Sequence, residues 1–86
     1  MPDELNEKQI ENLKQIKKDY LDTFSSNHGK RVLANLDKIC FTNKTTYSEQ
    51  PGRIELNEGM RFVVVHIKNM MLMNIETLTK LTREGA

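Results

Sequence analysis

Apolar positions in the second half of the chain keep a helical rhythm. Met60, Val64, Ile67 and Met71 recur at i, i+4, i+7 and i+11, one stripe of a 3.6-residue helix. Val63 and Met70 widen that stripe, while Phe62 and Val65 lie away from it. A helix apolar over most of its circumference has to be covered on several sides. Residues 55–73 are therefore predicted to form the central helix of a small bundle. The β-branched run Phe62–Ile67 also suits a short buried strand. Its apolar character, however, continues past strand length into Met70–Met73, and no second strand-like run is present to pair with it. An isolated strand would leave its backbone donors and acceptors unpaired. Helix is the expectation.

The same rhythm places the other elements. Leu13, Ile16, Tyr20 and Phe24, broadened by Ile10 and Leu21, predict a first helix over residues 3–24. Asp3, Glu4 and Glu7 load its first turns with negative charge, as the helix dipole favours. Val32, Leu33, Leu36, Ile39 and Cys40 predict a second helix over 27–40, with the Ser26 hydroxyl as its N-cap. Residues 41–54 read as a long connecting loop containing the Pro51-Gly52 turn pair. Tyr47 in its middle is a candidate anchor, onto the domain's own core or onto a partner. Asn74 caps a short helix over 75–81 with Ile75, Leu78 and Leu81 on one side, and Thr82–Ala86 is read as a frayed tail. Gly29 and Gly59 each sit in the first turns of a helix, where glycine costs about 1 kcal/mol against alanine. Both are expected to mark close crossings of the second and third helices. The fold predicted is a single all-α domain over 1–86, three main helices plus a short C-terminal one.

Length changes this picture in one respect. A chain of 86 residues is one domain at most and buries only about 60–65% of its unfolded surface. With 37% hydrophobic residues, 6% aromatics and no Trp, the core is thin. Completion by a larger partner or by a second copy is thus expected. Met70, Met71 and Met73 either fill irregular core gaps or form an adaptable binding surface. With Tyr47 they are the candidate partner-binding residues.

Charge and chemistry exclude more than they suggest. Thirteen Lys and Arg against twelve Asp and Glu give a formal net charge of +1, which builds no strong field. The cluster Lys14, Lys17 and Lys18 reads first as a solvated face. A nucleic-acid module would add Lys30, Arg31, Lys44 and Arg53 to it, all as phosphate contacts rather than base readers. Gly29-Lys30-Arg31 lacks the earlier glycine, the following Ser or Thr and the preceding strand of a phosphate-binding loop. Glu58 and Arg61 are i, i+3 neighbours able to pair. A lone Cys40 makes no internal disulfide, and two histidines give no zinc ligand set, so neither metal nor cofactor is expected. Cys40 with His28 or His66 has no third orienting partner, so no enzyme is expected, and His66 reads as a partly exposed structural residue. The acidic, polar start Met1–Leu5 is no secretory signal. The apolar run is broken by His66, Lys68 and Asn69 and is too short to span a membrane. A soluble protein of a reducing compartment is the expectation.

Two motifs carry a resemblance. The stretch Phe24–Leu36 places an aromatic, a cap serine (Ser26), Gly29-Lys30-Arg31-Val32-Leu33 and a further Leu36, with Cys40 at the helix end. Glu58-Gly59-Met60-Arg61 follows, leading into an apolar helix, and then the short Leu-ending helix of residues 74–81. Over residues 24–81 the chain resembles a small family of tailed-bacteriophage and prophage proteins, of the Bordetella-phage type, whose members tend to sit among head-assembly genes. The resemblance implies no catalytic residues. What it implies is a non-enzymatic virion or head-morphogenesis protein, binding a portal, capsid or tail component or its own copies, in the virion or in the host cytoplasm during assembly. The alternative is a helical DNA-binding module acting near the packaged genome.

Overall fold

The computed structural model describes residues 6–42 and 44–83. It is 77% helical, with four helices and no strand among the described residues. They are α1 (Glu7–Phe24), α2 (Asn27–Ile39), α3 (Arg53–Leu72) and α4 (Ile75–Arg83). The chain is an all-α small bundle.

Each boundary has a local cause. The side chain of Asn6 accepts from the Gln9 amide at 2.8 Å while the Gln9 side chain accepts from the Asn6 amide at 2.9 Å. This reciprocal capping box fixes where α1 starts. The expected start at residue 3, with the charges of Asp3 and Glu4, lies outside the described residues. Gly52 has φ 75° and ψ −6°, and the Arg53 amide bonds the Gln50 carbonyl at 3.1 Å. That is a type II turn, with Pro51 and Gly52 at its centre. It delivers the chain into α3 two residues before the expected start at 55. Asn74 caps α4 by accepting from the Thr77 amide at 2.8 Å. The helix then runs to Arg83, two residues beyond the expected end; residues 84–86 of the supposed tail lie outside the described residues.

Packing is shared between α1 and α3. α1 packs on α2, α3 and α4, and α2 packs on α3 as well. Lys17 of α1 reaches Met70 and Met71 of α3, and Tyr20 meets His66. Advancing along α1 therefore means retreating along α3, and the two helices are antiparallel. α3 does supply most of the interior: Val64, Ile67 and Met70, with Leu78 of α4, are the buried hydrophobic residues. Four helices in this arrangement do not surround α3, so Leu56, Phe62, Val63 and Leu72 remain exposed on it.

The shape follows from the thin core. The molecule measures 46 × 37 × 14 Å, and its radius of gyration is 15.4 Å, against about 12 Å for a typical domain of this length. It is a plate rather than a ball, and much apolar surface stays in solvent.

Candidate functional site

The first sequence motif builds the corner between α1 and α2. The Ser26 hydroxyl accepts from the Gly29 amide at 2.9 Å and donates to the Thr23 carbonyl at 3.0 Å. Gly29 is buried at this corner. A β-carbon there would stand 1.8 Å from the Thr23 carbonyl oxygen and 2.7 Å from the Phe24 Cα. The close approach is thus to the end of α1, not to the third helix as expected. Lys30 and Arg31 point outward beside it, Arg31 lying 2.8 Å from His28 Nδ1.

The second motif fastens the long loop. Glu58 accepts from the Thr46 hydroxyl and faces Arg61 at 3.8 Å. One residue earlier, Asn57 is only 2% exposed and donates its amide to the Thr46 carbonyl at 3.1 Å. Its Oδ1 is buried without a partner among the described residues. Asn57 stands three residues before Met60 and seven before Val64, so it prolongs the apolar stripe. A polar residue in that register was the sequence signal for a buried loop pin. Gly59 has nothing within 4 Å of an added β-carbon. The helix crossing expected there is absent among the described residues.

The basic side chains are largely engaged. Lys17 was expected on a solvated outer face; it is instead part-buried and donates to the Met70 and Met71 carbonyls at 3.0 Å each. A cation there satisfies carbonyls that the last turn of α3 leaves free and complements the helix dipole. Lys18 holds Asp22 at 2.6 Å, Lys14 faces Glu11 at 3.7 Å, and Lys44 lies 4.8 Å from the Phe41 ring centroid. Arg53 is exposed at the start of α3. Lys68 of α3 bonds Asp37 of α2 at 2.7 Å, and Asp37 also accepts from the Thr42 hydroxyl at 2.6 Å. Burial pushes the Asp37 carboxyl up, but Lys68 and Thr42 outweigh it and hold the group below its ordinary value. Sequence reasoning missed this tie because it joins residues on separate helices.

Of the four proposed partner residues, Met70 alone lies in the interior. Met70 is 4% exposed and belongs to the interior, whereas Met71 and Met73 are half-buried. Tyr47 is 66% exposed and therefore not an anchor onto the chain's own core. The large exposed apolar side chains of α3 were not singled out from the sequence: Phe62 is 65% and Leu72 82% exposed. Between α3 and α4 lies a cleft of about 370 Å³, lined by Phe62, Val65, His66, Asn69, Met70, Leu78 and Leu81. Its walls are mostly apolar, and His66 is braced edge-on against the Tyr20 ring at 5.8 Å. Cys40 is a free thiol at the end of α2, and no group of three or more His, Cys, Asp or Glu is placed to hold a metal among the described residues. No helix among the described residues is long and apolar enough to cross a membrane.

Comparison with known proteins gives the family. The family described as Bbp19-like phage protein matches residues 20–83, from the end of α1 through α4, and the chain belongs to it. No curated protein and no solved structure matches the chain.

Proposed function

For a chain that belongs to the Bbp19-like phage proteins, we propose a non-enzymatic role in the virion or in head morphogenesis, exerted by docking onto a larger structural protein or onto its own copies. The observation that carries this reading is the imbalance between interior and surface. Among the described residues four hydrophobic side chains are buried, while Val32, Ile39, Tyr47, Leu56, Phe62, Val63 and Leu72 each keep more than half of their surface in solvent. Exposed apolar side chains on this scale mark protein–protein contact. Membership of a phage family supports a partner among the components of the particle.

Quantitative mass spectrometry of purified virions tests the proposal, with copy number normalised to the portal protein. Stoichiometric presence supports a virion component, and the ratio tells a vertex from the shell. Presence in infected cells but absence from both virions and head precursors overturns it.

A further inference from the structure

Glycine in a helix interior costs about 0.5–1 kcal/mol relative to alanine, and some gain has to offset it. Gly29 has its reason inside the chain; Gly59 does not, since its missing side chain opens onto empty space. On the same helix Leu56 precedes it by three residues, while Phe62 and Val63 follow by three and four, and all three are more than half exposed. Residues so spaced are neighbours on a helix surface. A bare backbone flanked by apolar side chains suits the close approach of another helix.

The same stretch carries both a knob and a hole. Phe62 is the knob, 65% exposed. The hole is the α3–α4 cleft, floored by Met70 and Leu78 at 4% exposure each, on whose rim Phe62 itself stands. A surface that holds projection and recess side by side is complementary to itself under a two-fold axis, the usual symmetry of homodimers.

We propose that the Leu56–Gly59–Phe62–Val63 face of α3 packs against the same face of a second copy, each Phe62 ring entering the other copy's α3–α4 cleft. A formal charge of +1 per chain sets up little repulsion between copies. The paired stretch from Leu56 to Val63 spans only about 10 Å of α3, so the contact is short. A contact that short lies at the low end for a specific interface, so the dimer is a weak one that forms at high local concentration. The proposal names the partner and the surface for the docking role proposed above and rests on that reading for its place in assembly. Its test does not.

Sedimentation equilibrium of the full chain, from about 5 to about 500 µM, reads the association directly. The expected result is a reversible monomer–dimer equilibrium. Phe62→Asp should weaken it at least about 30-fold, as removal of a central aromatic anchor does, with the melting temperature of dilute protein unchanged. Asn69→Trp, which fills the cleft from its polar edge, should weaken it as well. An equimolar mixture of the two variants lets one Phe62 ring face one unfilled cleft per pair and should recover part of the dimer. A monomer at every concentration overturns the proposal, and so does a dimer indifferent to both substitutions. Neither result touches virion incorporation, which the mass spectrometry decides separately.

Discussion

The carbonyl oxygen of Thr23 lies 1.8 Å from the point where a β-carbon on Gly29 would stand. Both partners are main chain, at the junction of two helices, so neither can swing aside as a side chain would. Gly29→Ala should therefore open the α1–α2 corner and destabilise the protein by about 2–3 kcal/mol, in the range of overpacking. Ser26→Ala removes the N-cap at the same corner and should cost about 1 kcal/mol. Thermal melts followed by circular dichroism rank the two. A Gly29→Ala melt matching the wild type would contradict the corner geometry.

Gly52 and Gly59 should respond in opposite directions. The φ of 75° at Gly52 lies in the left-handed region, where a side chain costs about 1–2 kcal/mol. Gly52→Ala should lower stability accordingly. Gly59 sits in a helix with open space around it, so Gly59→Ala should raise stability by about 0.5–1 kcal/mol in dilute protein. Urea titrations of the two variants give the signs, and a loss at Gly59 would restore the helix crossing that its position first suggested.

Lys17 is the electrostatic bolt between α1 and the C-terminal end of α3. Lys17→Met keeps much of the aliphatic stem and leaves two carbonyls without their cation. A loss of about 1.5–3 kcal/mol is expected from a charged donor, and Lys17→Arg should recover part of it. Lys14→Met, which breaks only an exposed pair with Glu11, should change stability by well under 1 kcal/mol. Equal effects at the two lysines would mean that the bolt carries nothing.

The Asp37–Lys68 tie predicts an acid limb. Asp37 is held below its ordinary value, which for aspartate is about 3.9. Its contribution is complete at pH above that unfolded value, and it is lost as the pH falls through the lower, folded one. Asp37→Asn should be less stable than wild type at neutral pH, and the gap should narrow on acidification below about pH 4. Melting temperature against pH measures this. A gap that stays constant down to the acid limit would mean the carboxylate is not the group that titrates.

Much of the fold was legible because it rests on periodicity. The spacing of Leu13, Ile16 and Tyr20, of Leu33 and Leu36, and of Met60, Val64 and Ile67 places three helices, and Ser26 and Asn74 cap theirs as expected. What periodicity cannot supply is the partner of each stripe. An apolar face is equally consistent with burial and with a docking surface, so Val63, read as part of the stripe, is more than half exposed while Val64 is 1% exposed. Glycine poses the same ambiguity: Gly29 and Gly59 both lie inside helices, and only the three-dimensional neighbourhood separates a steric requirement from an open gap. Long-range polar ties such as Lys17 to Met70 leave no local trace in the sequence.

That last tie also sets an order of events for the growing chain. The ammonium of Lys17 and its carbonyl acceptors are separated by 53 and 54 residues, and α1 packs further on α4 near the C-terminus. During synthesis the α1–α2 corner is available early as a local hairpin, because its contacts are close in sequence. The remaining faces of α1 wait until most of the chain has been made. Closing so long a loop slows folding relative to a bundle of sequential neighbours. In that interval apolar residues of α1 such as Tyr20 and Phe24 lack their later cover, which is when association with another molecule competes with completion of the fold.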